Sequence, residues 1–259
     1  MFEVAAIQLE HSDDATKEQR IAHVEELMDQ VHGADLILLP EIWNIGYFSF
    51  DLYRAASETL NGATVSHLSD KARLLGAHVL VGSIVERADG KLYNTSVLLD
   101  RHGEVIATYR KIHLFGYGSQ EQALLSPGDR PVVVTTELGV FGLSTCYDLR
   151  FPELYRVMVD RGAQVFLVTA AWPYPRLEHW MVLNRVRAFE NQCFLISSNC
   201  VGHSRGERFL GHSSVVDPWG VLLASAGDFE AIVRAQIDLE LLNQARSDFP
   251  ALADRVIRS

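Results

Sequence analysis

The chain has 259 residues and a mass of 29.0 kDa, with 48% hydrophobic residues, 22% charged residues and 8 prolines, a composition that excludes a disordered, collagen-like or low-complexity polymer. Its 23 Lys and Arg against 33 Asp and Glu give a formal charge of -10, which repels phosphate backbones and anionic lipid surfaces, and no local basic patch offsets it. Nucleic-acid and membrane partners are therefore not expected.

A chain of this mass can bury roughly three quarters of its unfolded surface, so a single domain over 1–259 is the expectation. No apolar run approaches the ~20 residues that cross a bilayer, and the N-terminal MFEVAAIQLEHSDD lacks the basic start and apolar stretch of a signal peptide. The expected location is the cytoplasm. Cys146, Cys193 and Cys200 form an odd set without C-x-x-C spacing, which argues for free thiols.

In chain order, FEVAAIQL (2–9) reads as a strand, 15–32 as an amphipathic helix and DLILLP (35–40) as a strand buried on both faces. Residues 51–60 and 63–75 read as helices and HVLVGSIVE (78–86) as a strand. Segments 93–100 and 104–111 form a hairpin around Arg101, His102 and Gly103, with a further turn at Asp89-Gly90. A Pro- and Gly-containing loop over 116–131 leads to the runs PVVVTTEL and VFGLSTC. Pro152 then opens a helix that runs to about Gly162. QVFLVTAAW (164–172) is a buried strand, 176–192 a helix, and 193–200, 212–218 and 221–226 are strands. A β run at 231–238 precedes a helix near 239–246. Strands and helices interleave throughout, so the chain belongs to the α/β class.

Chemistry concentrates at three strand ends. In GLSTCYDLRFPEL (142–154) Cys146 stands between a buried strand and a helix start, where backbone N–H groups and the helix dipole favour negative charge and a lowered thiol pKa. Cys193 and Cys200, in apolar strands, read as small hydrophobes. Glu41 in LLPEIW follows a strand and could serve as a base if desolvated, or be an exposed turn acid. Lys111 in TYRKIHLF ends another strand and taken alone reads as a surface lysine. The ten histidines are scattered without H-E-x-x-H, so no metal is expected. Gly116-Tyr117-Gly118 lacks the third glycine of a dinucleotide loop, and GHSSV (211–215) is not a serine-hydrolase elbow.

Together, Glu41 in LLPEIWNIGY, Lys111 in YRKIHLF and Cys146 in STCYDLRFPEL resemble the nitrilase superfamily, the carbon–nitrogen hydrolases. The resemblance extends from AAIQL through SPGD (126–129) to AWPYPRLEHWMVLNRVRAFENQ (171–192) and GHSSVVDPWG (211–220). It implies a four-layer α-β-β-α sandwich and a Glu-Lys-Cys triad, with Glu121, seven residues before Gly128, as a fourth acid that orients Lys111 or the substrate. It also implies hydrolysis of small carboxamides through a cysteine thioester, without metal or organic cofactor, by a homodimer paired through helices near the nucleophile and the C-terminal segment.

The motifs at 171–192 are similar to the omega-amidase branch, whose substrates include 2-oxoglutaramate. Tyr47, Phe115, Tyr147 and Trp172 are candidate walls of the pocket. Arg150 and Arg176 could grip a substrate carboxylate, although Arg150 beside Asp148 and Glu153 reads first as a structural ion-pair member. Trp180, Leu183, Val186 and Phe189 mark an apolar stripe on the helix 176–192, for the core or a subunit interface. Alternatives are a nitrilase or N-carbamoyl hydrolase with the same triad, or a non-catalytic member that binds a metabolite or partner.

Overall fold

Alternate residues of one strand serve two different cores, which is why the apolar runs are continuous. In the computed structural model, which describes residues 1–257, the first strand β1 (Phe2–Gln8) turns Val4 and Ala6 toward a second sheet and Ala5 and Ile7 toward covering helices. The next elements are β2 (Glu10–His11), α1 (Lys17–Met28) and β3 (Leu36–Leu38). The same division runs through β3, where Leu36 and Leu38 join the inter-sheet core and Ile37 lies under the helices. A side-chain period of two with both faces buried leaves the middle of such a strand, Val4–Ile7 in β1 and all of β3, without a polar position.

Then come α2 (Tyr53–Ala56), α3 (Ala63–Leu75), β4 (His78–Ala88), β5 (Lys91–Leu99), β6 (Val105–Arg110) and α4 (Glu121–Leu124). The second half holds β7 (Val132–Thr136), β8 (Gly139–Thr145), α5 (Pro152–Asp160), β9 (Val165–Ala170), α6 (Leu177–Asn191) and β10 (Phe194–Asn199). It closes with β11 (Val201–Ser204), β12 (Glu207–Leu210), β13 (Ser214–Val216), β14 (Leu222–Ser225), β15 (Ala231–Ile237) and α7 (Leu239–Asp248).

Two six-stranded sheets stack, one ordered β15-β1-β3-β4-β5-β6 and the other β14-β13-β10-β9-β8-β7. Each has three parallel strands at its centre and antiparallel strands outside them. Helices α1 and α3 cover the first sheet, and α5 and α6 cover the second, which makes the four-layer α-β-β-α sandwich. Helix signals follow the expected chemistry: a Thr16–Gln19 capping box starts α1, Pro152 opens α5, and Gly76 ends α3 with φ of 64°. Among the described residues no helix is long and apolar enough to cross a membrane.

Four expectations change. The helix expected over 51–60 is a 3-10 turn, Phe50–Leu52, followed by the short α2. The chain leaves it at Ser57 because Glu58 is needed elsewhere. Gly62 brings no side chain to cap α3, and the Glu58 carboxylate does so by accepting from Thr64 N at 2.9 Å. The loop 116–131 contains α4, which carries Glu121. Residues 201–210, unassigned from the sequence, form the hairpin β11–β12, which joins β2 in a third sheet. The stripe on α6 does not hold: Trp180 is buried, whereas Phe189 is 50% exposed. Nine residues at about 100° each carry Phe189 about 180° from Trp180. The buried face is Trp180, Asn184, Arg187, Ala188 and Asn191.

Candidate active site

The parallel strands of both sheets end on the same side, so the segments after β3, β8 and β9 converge, as expected at the carboxyl ends of α/β sheets. Glu41 stands three residues beyond Leu38. Its main chain is anchored to both sheets: Glu41 N donates to Ala170 O at 3.2 Å, and Ile42 N to Ser83 O at 3.0 Å. This close crossing of β4 requires Gly82, whose φ is 78° and where a Cβ would lie 1.9 Å from Pro40 O.

Lys111 follows β6, fully buried, with its N–H on Asn94 O at 2.8 Å. Its Nζ donates to Glu41 Oε1 at 2.8 Å and to Glu121 Oε1 and Oε2, each at 3.0 Å. Glu41 Oε2 accepts from Ala171 N at 2.9 Å, and Glu121 Oε2 from Phe115 N at 2.7 Å and Tyr47 OH at 3.1 Å. Asn94 Nδ2 donates to both carboxylates, at 2.8 and 2.9 Å. Both acids and the lysine are 0% exposed, so the readings of Glu41 as a turn acid and Lys111 as a surface lysine fall away. A buried charge persists only when paired and hydrogen-bonded, as each of these is.

Cys146 ends β8 in the left-handed region, φ 49°, and opens a 3-10 turn, Cys146–Arg150. A residue other than glycine costs on the order of 1–3 kcal/mol in such a conformation, and Asp148 helps hold it there. Its Oδ2 accepts from Thr145 N at 2.9 Å and Tyr109 OH at 2.6 Å; its Oδ1 accepts from His113 N at 3.1 Å and bonds His113 Nδ1 at 2.7 Å. One carboxylate thus clamps the turn around Cys146 to the residues on either side of Lys111. Neither Asp148 nor Asn94 was marked by the sequence as a site residue.

The charges act on one another. Burial pushes the Cys146 thiol well above its ordinary range and the Glu41 carboxylate adds to the rise, with Lys111 only partly opposing them. The thiol is therefore neutral at rest, against the expected lowering. The turn after β8 is five 3-10 residues rather than the start of a long α-helix, and a carboxylate as well as an ammonium faces the sulfur. Burial works to lower Lys111, but Glu121 and Glu41 outweigh it and raise it. Burial raises Glu121, Lys111 opposes the rise and Glu41 reinforces it.

Above these groups opens a small cavity, in which Cys146 is accompanied by Tyr47, Phe115, Tyr147 and Trp172. Glu41, Lys111 and Glu121 lie beneath it. Arg150 and Arg176 also line it: Arg150 lies 5.0 Å from the Trp172 ring centre and bonds His179 Nδ1 at 3.0 Å, and Arg176 lies 5.6 Å from the rings of Phe115 and Tyr117. Arg150 does not pair with Asp148 or Glu153, because Asp148 is already saturated by Tyr109, His113 and Thr145. Among the described residues neither guanidinium has a carboxylate partner.

A thiol beside a buried carboxylate and ammonium, at the floor of a small cavity on an α-β-β-α sandwich, marks the chain as a hydrolase. Residues 3–247 match the carbon–nitrogen hydrolase family, and the chain belongs to that family. It is 41% identical over 262 residues to a 2-oxoglutaramate amidase of Paenarthrobacter nicotinovorans, covering 98% of this chain and 89% of that protein. It is 35% identical over 266 residues to the human omega-amidase NIT2, covering 98% and 95%. Among solved structures, Nit3 of Saccharomyces cerevisiae, a member of branch 10 of the nitrilase superfamily, superposes with a TM-score of 0.88 at 32% identity over 99% of this chain and 97% of that one. A mutant amidase of Nesterenkonia sp. AN1, with the acetamide moiety of fluoroacetamide added covalently at its active-site cysteine, gives 0.86 at 28% identity over 98% and 94%.

Proposed function

We propose that the chain is an amidase that cleaves small carboxamides bearing a carboxylate, with 2-oxoglutaramate as the leading substrate, and that Cys146, Glu41, Lys111 and Glu121 carry the reaction. The observation that supports this most is the arrangement of the cavity: a neutral thiol against a buried, bonded carboxylate below, and two guanidiniums without carboxylate partners around it. Guanidinium groups suit a substrate carboxylate, and the aromatic faces of Trp172 and Phe115 hold them in place.

In the first half-reaction Glu41 takes the Cys146 proton as the sulfur attacks the amide carbon, and the carbonyl oxygen becomes an oxyanion stabilised by Lys111 and the Tyr147 N–H. Glu41 then gives that proton to the leaving nitrogen, the C–N bond breaks, and ammonia departs from a thioester. In the second, Glu41 takes a proton from water, whose oxygen attacks the thioester carbon. The C–S bond breaks, the carboxylic acid leaves and the proton returns to sulfur. Glu121 holds Lys111 together with Glu41, and Tyr47, Phe115, Tyr147 and Trp172 wall the substrate.

The test is an ammonia-release screen over 2-oxoglutaramate, glutamine, simple aliphatic amides, nitriles and N-carbamoyl amino acids. The oxo-acid amide is expected to give the highest kcat/KM, and turnover of a nitrile with no amide turned over would overturn the reading. An acyl adduct confined to Cys146 by intact mass separates the enzyme from a non-catalytic member of the fold. The protein is further expected to work in the cytoplasm as a homodimer, paired through the exposed apolar surface of Phe189, Trp219 and Phe249.

A further inference from the structure

Asn94 lies on β5, fully buried, where β6 ends opposite it. Its Nδ2 donates to Glu41 Oε1 at 2.8 Å and to Glu121 Oε1 at 2.9 Å, while its main-chain carbonyl accepts from Lys111 N at 2.8 Å. The side-chain oxygen is buried without a hydrogen-bond partner. A buried acceptor left unmet is unfavourable, yet turning the amide over would set that oxygen against two carboxylates. The orientation is therefore dictated by the carboxylates, and the two charge-assisted bonds outweigh the orphaned oxygen.

Glu41 and Glu121 bring two negative charges to this interior and Lys111 one positive charge. The other groups facing Glu41 add no positive charge: Ala171 offers a main-chain N–H after β9, Cys146 a neutral thiol after β8, Cys200 a thiol at the end of β10, and Tyr47 and Tyr53 phenols from the segment after β3. Buried carboxylates outnumbering their cation draw a proton onto one of themselves. A proton on Glu41 would occupy the site that must receive the Cys146 proton. Lys111 and Asn94 are the two side chains, among the described residues, that donate to both acids.

We propose that Asn94 is a positioning residue that keeps Glu41 in its ionised, proton-accepting form by placing one N–H on each carboxylate, and so sets the lower pH limit of the reaction. The proposal rests on Glu41 being the base. It is tested by pH profiles of kcat/KM for the wild type, Asn94→Ser and Asn94→Asp, with the iodoacetamide reaction of Cys146 followed over the same range. Asn94→Ser withdraws the shared donor, and its acid limb should move up by about one pH unit, a deficit of about tenfold at the foot of the limb. That deficit should narrow about tenfold toward pH 9. Asn94→Asp keeps the shape and adds a third carboxylate, so its limb should lie higher still, and alkylation should shift in the same order.

Limbs left at the wild-type pH, or a loss equal at every pH, would overturn the proposal. So would failure of both variants to fold, which would assign Asn94 to stability alone. Glu41→Gln separates the two levels: if it retains turnover with an intact acid limb, the base assignment fails, whereas if it is inactive and the Asn94 limbs have not moved, only the present proposal fails.

Discussion

Lys111 is held by three carboxylate contacts within 3.0 Å and its charge acts on the sulfur at the same time, so the proposed reaction uses it both as a structural cation and as the donor to the oxyanion. Lys111→Met keeps the length and removes both roles. One oxyanion donor is worth about 3–4 kcal/mol, so kcat should fall at least about 100- to 1,000-fold, with KM changed far less, by steady-state ammonia release. Arg176 acts on a different quantity. Among the described residues its guanidinium meets two aromatic rings and no carboxylate, so Arg176→Ala should raise KM about tenfold for a carboxylate-bearing amide and leave KM for a neutral aliphatic amide near that of the wild type. Equal effects on both substrates would place Arg176 outside carboxylate recognition. Glu41, Lys111 and Cys146 were singled out because the short motifs around them resemble those of a family, although Glu41 and Lys111 taken alone had ordinary readings. Asn94 and Asp148 were not, because an asparagine in a strand and an aspartate two residues after a cysteine have ordinary structural readings until their partners are in place.

At the scale of elements, the small sheet β12-β11-β2 shows what weak patterning conceals. Its strands are two to four residues long, too short for an alternation to stand out. It nevertheless buries His11, which packs edge-on to Phe209 at 6.0 Å and 88°. Burial, and then Arg20, hold the His11 imidazole at about 4 against an ordinary 6.5, with Asp13 at 3.5 Å opposing them. The folded protein thus resists a proton that the unfolded chain accepts. The stability this contributes is complete above pH 6.5 and is lost as pH falls toward 4. Between those values the wild type should lose stability faster than His11→Gln by about 1.4 kcal/mol per pH unit, measured by urea denaturation at stepped pH. Parallel slopes would show that His11 titrates alike in both states.

At the scale of the whole molecule, an apolar surface on the outer side of α6 is left uncovered among the described residues. Trp219 and Phe249 stand 6.5 Å apart, and Gly220 packs close against Phe189 on the outer side of α6. Phe189 and Phe249 are 50% and 60% exposed. Contiguous patches of this kind mark association sites, and a second copy of the chain is the occupant proposed above. Phe189→Arg should convert the dimer to a monomer at micromolar concentration in sedimentation, while Trp180→Phe, on the buried face, should leave the dimer in place. A wild type that sediments as a monomer would refute the pairing.

Local pattern was enough to determine the α/β alternation and most strand and helix positions, because a helix period, a strand period and a proline at a helix start act over a few neighbouring residues, whereas Glu41, Lys111 and Cys146 were brought together only by the resemblance of their motifs to a family. Tertiary structure alone decided that α6 buries Asn184 and Arg187 rather than Phe189, that Glu58 leaves its helix to cap α3, and that the thiol is neutral at rest. It also placed Asn94 between two acids. The bonds responsible join residues 53, 70 and 130 positions apart. They exist only once two sheets have stacked and excluded water, and it is that exclusion which turns ordinary side chains into a charged, titration-coupled site.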